Sequence, residues 1–135
     1  MTVGEAMSPA RITVGTSHTL REAARRMTRG QVGSAVVLDP ALPGPGIITE
    51  RDVLRCIGEG GDIDLALVGD FVSRNVVYAA ADWPLERAAE AMTAGGFRHL
   101  VVLDRSEIAG VISMRDIVRS WVETGPPVQA TALAG

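Results

Sequence analysis

This 135-residue chain contains no lysine, a single cysteine and few aromatic residues. All thirteen basic residues are arginine, and aromatic residues make up 4% of the chain. A lone cysteine, Cys56, cannot form an internal disulfide, which agrees with a reducing compartment. No apolar run approaches the roughly 20 residues that a membrane-spanning helix needs, and the first residues lack the basic and then apolar pattern of a secretory signal. We therefore expect a cytoplasmic protein without a membrane partner.

The balance of charge and hydrophobicity predicts a globular protein that does not bind nucleic acid. The net charge is −3, which disfavours a surface that neutralises phosphates along a nucleic acid. The hydrophobic content of 47% indicates an interior of aliphatic side chains and methionine. The exclusive use of arginine has two explanations, compositional bias or the binding of phosphate by planar guanidinium groups.

The sequence repeats itself. Residues 20–39 return as residues 85–104 with ten of twenty positions identical, and residues 46–52 return as residues 110–116. Units of about 60 residues are marginally stable alone, so we expect the two copies to share one core. Two repeats related by a pseudo-twofold axis have an interface between them, and a small ligand can bind there.

Each copy predicts the order strand, helix, strand, strand, helix. In the first copy these elements are an extended stretch at 11–14, a helix from Leu20 capped by Ser17 or Thr19 and closed by Gly30, strands at 34–38 and 46–49, and a helix at 50–57. In the second they are a stretch at 75–79, a helix capped by Asp82 with Pro84 in its first turn and stopped by Gly95 and Gly96, strands at 99–103 and 109–113, and a helix at 114–122. The prediction is an α/β (α+β) fold of two β-α-β-β-α repeats, 1–65 and 66–123, with small sheets covered by helices and a flexible tail at 124–135.

Both copies place a hydroxyl at the end of a strand, and an arginine and an aspartate in the first turn of the following helix. These residues are Thr49, Arg51 and Asp52 in the first copy and Ser113, Arg115 and Asp116 in the second. A helix N-terminus favours an anion, and a carboxylate that accepts two hydrogen bonds suits the vicinal hydroxyls of a ribose. Alternatively, the hydroxyls are helix caps and the aspartates complement the helix dipole, and such a device would also recur on duplication.

Further matching segments accompany this motif. In the first copy they are Met7-Ser8, Leu20-x-x-Ala-Ala-x-x-Met27, Ser34 to Asp39 and Gly46-Ile47-Ile48-Thr49-x-x-Asp52; in the second they are Val72-Ser73, Leu85 to Met92, His99 to Asp104 and Gly110-Val111-Ile112-Ser113-x-x-Asp116. With them the chain resembles a tandem pair of CBS domains, also called a Bateman module, over about residues 6 to 122. The resemblance implies a regulatory binding module, not an enzyme, that requires no cofactor. Its ligands would be adenosine compounds such as AMP, ADP, ATP or S-adenosylmethionine.

The resemblance also implies two clefts related by the pseudo-twofold axis. Each would take its hydroxyl and aspartate from one repeat and the strands that line the base from the other. The first cleft would use Thr49, Arg51, Asp52, Ser73, Val77, Tyr78, Phe97, Arg98 and His99. The second would use Ser113, Arg115, Asp116, Ser8, Ile12, Thr13, Val32, Gly33 and Ser34. We expect phosphate in the first cleft, because Arg51, Arg98 and His99 supply it with cations while the second has only Arg115.

Several single residues have ordinary interpretations. We expect Cys56 in the core, His18 at the surface, and Trp83 and Trp121 as packing anchors, with a subunit interface as the alternative for Trp121. His99 either binds phosphate or faces solvent.

A second hypothesis makes this chain an interaction module without a ligand. The apolar positions on the helices at 50–57 and 114–122 would then form a contact surface, and we expect a homodimer under either hypothesis. No catalytic motif or metal-ligand pattern is present in the sequence, so we expect no enzyme activity and no metal. The regulated effector would be a separate, unknown protein.

Overall fold

The computed structural model describes residues 1–9, 12–72 and 77–124. Within them the helices are α1 (Val3–Ala6), α2 (Leu20–Gly30), α3 (Glu50–Gly58), α4 (Val68–Phe71), α5 (Leu85–Gly95) and α6 (Met114–Thr124). The strands are β1 (Ser8–Pro9), β2 (Thr13–Val14), β3 (Ser34–Val37), β4 (Gly46–Thr49), β5 (Tyr78–Ala80), β6 (His99–Asp104) and β7 (Glu107–Ser113). The predicted stretch at 75–79 lies partly outside the described residues, and the tail lies outside them from residue 125.

The strands form two small sheets, one for each repeat. The first has the order β2-β3-β4, with β2 parallel and β4 antiparallel to β3. The second has the order β1-β7-β6-β5, in which β5 is parallel and β7 antiparallel to β6. In this second sheet β1, which lies between α1 and α2 in the chain, pairs with β7 through Ser8 opposite Val111. The predicted mixed fold, small sheets covered by helices, is confirmed.

Three clusters of buried side chains stabilise this arrangement, where the sequence suggested one core. One cluster lies under the first repeat around Leu20 and Ile48, and another lies under the second around Leu85 and Ile112. The third joins the faces of the two sheets and is built from Val36, Ile47, Val101 and Val111. Because aliphatic burial contributes about 25 cal/mol per Å², this third cluster ties the repeats into one unit.

The short helices α1 and α4 are exchanged between the repeats. Val3 in α1 is buried in the second repeat's cluster, and Val68 in α4 is buried in the first repeat's cluster. The backbone contacts are equivalent, because the Val3 N–H donates to the carbonyl oxygen of Trp83 at 2.8 Å and the Val68 N–H donates to that of His18 at 2.8 Å. Each repeat is therefore completed by a segment that the sequence assigns to the other.

The glycine of each Gly-apolar-apolar-hydroxyl segment makes room for one of these neighbouring segments. A β-carbon at Gly46 would lie 2.6 Å from Cγ2 of Val72, and one at Gly110 would overlap the carbonyl oxygen of Ser8. Val72 follows α4 and Ser8 follows α1. The repeated glycine therefore lets the chain that follows the exchanged helix approach the sheet closely.

One predicted helix end was wrong. Asp82 does not cap α5; Pro84 occupies the cap position, outside the helix and without a side-chain hydrogen bond. A backbone bridge between Thr2 and Pro84 fixes this end, as a bridge between Leu67 and Thr19 fixes the start of α2. The helix α2 ends at Gly30 as predicted, but the left-handed cap residue is Gln31, with φ of 54°.

Candidate functional site

The repeated hydroxyl and aspartate meet at the N-termini of α3 and α6. At α3 the backbone N–H and the hydroxyl of Thr49 both donate to Asp52 Oδ2, at 2.8 and 3.0 Å. At α6 the Ser113 N–H donates to Asp116 Oδ2 at 2.8 Å, and the Asp116 N–H donates to the Ser113 hydroxyl oxygen at 3.1 Å. Each aspartate therefore makes a capping contact with the backbone N–H of the hydroxyl residue. It occupies one carboxylate oxygen of each aspartate and leaves Oδ1 outside the capping contacts.

An arginine that sequence reasoning missed approaches the Oδ1 atom of each aspartate. Arg119 Nη2 lies 2.7 Å from Asp116 Oδ1, whereas Arg55 Nη2 lies 3.5 Å from Asp52 Oδ1. The signal was present, because the repeated motif continues to an arginine three residues after each aspartate. The side chains of Asp52 and Asp116 are 17% and 7% exposed, so both carboxylates are shielded but reachable.

The strand beside each helix N-terminus comes from the same repeat. Ser34 lies opposite Thr49 in the first sheet, and the Glu50 N–H donates to the carbonyl oxygen of Gly33 at 3.0 Å. The Glu50 carboxylate also covers Gly33, because a β-carbon there would lie 3.1 Å from Oε1. Glu50 therefore lies at the end of the sheet where the sequence placed the base-lining residues of the second cleft.

The second sheet repeats this arrangement with different side chains. His99 lies opposite Ser113, and the Met114 N–H donates to the carbonyl oxygen of Arg98 at 2.8 Å. The register therefore makes Arg98 and His99, assigned to the first cleft, direct neighbours of the α6 start, which was assigned to the second. Arg98 and Arg115 are both exposed at this end of the sheet.

His99 is half-buried among charged groups. Burial lowers the pKa of its imidazole, because desolvation penalises the charged form. The charges of Glu50 and Asp116 oppose this change, and those of Arg98 and Arg115 add to it. A neutral imidazole at pH 7 can both donate and accept hydrogen bonds. His99 is thus near groups from both repeats, and it is not simply solvent-facing.

Tyr78 forms a direct contact between the repeats. Its hydroxyl donates to the carbonyl oxygen of Pro45 at 2.7 Å, and its ring packs on the cluster between the two sheets. Val77 is exposed immediately before it, whereas Phe97 packs against the second repeat's core. Ser73, also assigned to the first cleft, lies outside the described residues.

The remaining predicted residues are spread along the first repeat. Ser8 lies in β1, and Thr13 in β2 accepts a hydrogen bond from Arg26 Nη1 at its carbonyl oxygen, at 2.7 Å. Ile12 packs against the first repeat's core. Val32 is exposed and lines a groove of about 250 Å³ between α2 and α3. Arg51 is exposed in the first turn of α3.

Some of the expectations for single residues agree with the structure and others do not. Cys56 is buried, as predicted, and Trp83 packs against the second repeat's core below the guanidinium of Arg87. His18 is only partly exposed, and its Nδ1 accepts a hydrogen bond from the Gly15 N–H at 2.8 Å. Trp121 is 48% exposed, so it is not a core anchor within one chain.

Comparison with known proteins identifies the family. A model of the CBS domain matches residues 3–59 and again residues 68–123. The chain belongs to the CBS domain family. These two matched ranges place α1 in the first CBS domain and α4 in the second, so the helix exchange described above is an exchange between CBS domains.

Other proteins are similar to this chain in sequence and in structure. An uncharacterized 17.7 kDa protein of Acidianus ambivalens is 33% identical over 106 residues, which cover 78% of this chain and 63% of that protein. A CBS domain protein of Pyrobaculum aerophilum, solved in complex with AMP, is 28% identical with a TM-score of 0.76 and covers 86% of this chain and 89% of its own. The CBS domain pair of MJ0100, solved with 5′-methylthioadenosine and S-adenosyl-L-methionine, shares the fold at 21% identity and a TM-score of 0.81, over 93% of this chain and 98% of its own.

The described residues contain neither a metal-binding cluster nor a membrane-spanning helix. In residues 1–9, 12–72 and 77–124 no group of three or more His, Cys, Asp or Glu side chains is placed to hold a metal ion. Over the same residues, none of the helices combines the length and apolar character that a membrane crossing requires.

Proposed function

We propose that this CBS pair is a regulatory module that binds an adenosine-containing ligand and signals to a separate protein. The observation that carries the proposal is the duplicated pair of hydroxyl and aspartate at the starts of α3 and α6, each with a shielded carboxylate. The AMP complex of the Pyrobaculum aerophilum relative supports the choice of ligand class. AMP, ADP, ATP and S-adenosylmethionine share the ribose that this device suits.

Each group in the proposed site has a chemical role. The carboxylates of Asp52 and Asp116 accept hydrogen bonds from ribose hydroxyls, since an ionised carboxylate is an acceptor only. Arginine forks suit phosphate, and the exposed Arg98 and Arg115 near His99 provide them at the α6 end. These roles require binding and orientation but no proton transfer or nucleophile, so we propose no catalytic activity and no required cofactor.

Titration calorimetry with AMP, ADP, ATP and S-adenosylmethionine tests this function. We expect micromolar binding of at least one ligand, and Asp52→Ala combined with Asp116→Ala should weaken it. Glu59→Ala is the matched control, because Glu59 is an exposed carboxylate at the other end of α3. If folded, nucleotide-free protein gives no heat with any of these ligands, the proposal fails.

An apolar surface on α3 and α6 favours a second candidate function, a homodimeric interaction module. This surface consists of the exposed side chains Leu54, Ile57, Val118, Trp121 and Val122. Exposed apolar side chains that cluster on a helix face are typical of interaction surfaces. Sedimentation of Leu54→Asp tests it: a dimer that this change dissociates, while Asp52→Ala with Asp116→Ala alters nothing, would favour the interaction module over the nucleotide sensor.

A further inference from the structure

The ion pair between the aspartate and the following arginine is closer in the second repeat than in the first. Both aspartates have an arginine three residues later, yet Arg119 approaches Asp116 to 2.7 Å and Arg55 stays 3.5 Å from Asp52. The first distance is that of a charge-assisted hydrogen bond, and the second is at the outer limit of one. The two motifs have the same spacing, so spacing does not explain the difference.

Phe71 contacts one of these two arginines and has no aromatic counterpart in the other repeat. The guanidinium carbon of Arg55 lies 5.8 Å from the centroid of the Phe71 ring, within the range of a cation–π contact. Phe71 is the last residue of the exchanged helix α4, and the equivalent last residue of α1 is Ala6. Alanine offers no aromatic face, so Arg119 has no corresponding contact and turns to the carboxylate of Asp116 instead.

This difference decides which carboxylate is open to a ligand. In both repeats Oδ2 is occupied by the capping contacts, so Oδ1 is the atom that remains for a ribose hydroxyl. At Asp52 a ligand hydroxyl would replace only a long contact from Arg55. At Asp116 it must displace or share a close ion pair, on a carboxylate that is also more deeply buried.

We propose that Arg119 is a positioning residue that competes with the ligand for Asp116, so that the ribose contact at Asp52 forms first and with the higher affinity. The inference rests on the proposed function and adds to it an order of binding. The affinities of the two sites then differ because of one side chain, Arg119. The difference arises because the position of Phe71 in α4 is taken by Ala6 in α1.

Adenosine is the probe for the test, because it has the ribose but no phosphate that an arginine would attract. Calorimetry of the wild-type protein should show a tight and a weak site, and Asp52→Ala should remove the tight one. Arg119→Gln should raise the affinity of the weak site about threefold to tenfold, the size expected for an ion pair with one exposed partner. Arg55→Gln is the matched control and should change neither site by more than about twofold.

Two further measurements separate competition from a structural role. With 2′,3′-dideoxyadenosine, which lacks the ribose hydroxyls, the gain from Arg119→Gln should disappear. Arg119→Lys keeps a cation near Asp116 and should restore the weak binding of the wild type. Thermal melting of each variant verifies folding, and the exposed position of Arg119 makes Arg119→Gln tolerable.

The outcomes are distinct. Three results would overturn the inference while nucleotide binding stands. The wild type could show two equal sites, Arg119→Gln could leave the weak site unchanged, or the gain in affinity could persist with dideoxyadenosine. A single wild-type site supports it only if Arg119→Gln reveals a second. Absence of binding by adenosine, AMP, ATP and S-adenosylmethionine alike would overturn the proposed function, and the inference with it.

Discussion

Val68 gives a direct test of the exchanged helices. It belongs by sequence to the second repeat, but it is fully buried in the core of the first. Val68→Ala removes two carbon atoms at about 0.8 kcal/mol each and leaves a small cavity, so we expect a loss of about 2 kcal/mol in the free energy of unfolding. Total stabilities are about 5 to 15 kcal/mol, so the loss is readily measured.

Urea denaturation followed by two probes shows where the loss occurs. Both tryptophans, Trp83 and Trp121, lie in the second repeat, so their fluorescence reports on that repeat alone. Far-UV circular dichroism reports on the helices of both. With a denaturant slope of about 2 kcal/mol/M, both midpoints should fall by about 1 M in urea. The comparison is made at one fixed protein concentration, because association of the protomers would add to stability.

Leu65→Ala is the control, since Leu65 is three residues away and 77% exposed, and it should change stability by less than about 0.5 kcal/mol. A shift of the fluorescence midpoint alone would mean that Val68 stabilises its own repeat. A shift of the circular dichroism midpoint alone would mean that the repeats unfold independently. Either result refutes the single cooperative unit joined by exchanged helices.

Four other predictions follow from the same contacts. Gly110→Ala should destabilise the fold by about 1 to 3 kcal/mol in urea denaturation, because its methyl group would meet the backbone of Ser8. Gln31→Gly should stabilise it by about 1 kcal/mol in the same assay, since a left-handed residue is strained unless it is glycine. The lowered pKa of His99 means that the folded state binds fewer protons than the unfolded state. The stability that this group contributes should be complete above about pH 6.5 and should fall as the pH drops through the folded pKa. In thermal melts across pH, His99→Ser should flatten this decline. Trp121→Ala should shift a dimer toward monomer in sedimentation experiments, and an unchanged dimer would exclude the α6 surface.

The duplicated pattern made most of the fold predictable. Helical spacing of apolar residues located α2 and α5, and short apolar runs located β3, β4 and β6 to within one or two residues. These elements are long or strongly patterned, so local physics decides them. The hydroxyl and aspartate of each site were found for the same reason, because the capping contact is formed within four residues.

Contacts between distant segments were not predictable in this way. The helices α1 and α4 have only four residues each, too few for a periodic signal, and their positions depend on backbone bonds to chain about 80 and 50 residues away. The mistaken cap at Asp82 has the same origin, since the start of α5 is fixed by the bridge from Thr2. The approach of Arg98 and His99 to the α6 start depends on strand register, which sequence spacing alone did not provide.

The two repeats have nearly the same backbone contacts but different side chains at equivalent positions. The shared contacts determine the fold, and the differing side chains determine which ligand each repeat prefers. Contacts that fold the pair recur with equal lengths, such as the 2.8 Å bonds from Thr49 N–H to Asp52 and from Ser113 N–H to Asp116. The side chains at the helix starts differ, because Glu50 at the start of α3 corresponds to a methionine in α6. A ribose contact made through the aspartates is therefore available in both repeats.

The same contrast makes the two ends unequal toward phosphate. At the α3 start, the carboxylate of Glu50 covers Gly33, so a ligand phosphate there would meet a negative charge that its counterpart lacks. At the α6 start, Met114 stands in place of Glu50 and the exposed Arg98 and Arg115 lie beside His99, whose imidazole is also acted on by the charges of Glu50 and Asp116. Since like charges in a shielded site repel and opposite charges attract, we expect a ligand with phosphate groups to prefer the α6 end and a neutral or cationic adenosyl ligand the α3 end. If Glu50 selects in this way, Glu50→Gln should increase AMP affinity at the α3 end and leave adenosine affinity unchanged; equal gains for both ligands in calorimetry would show that Glu50 acts by shape and not by charge.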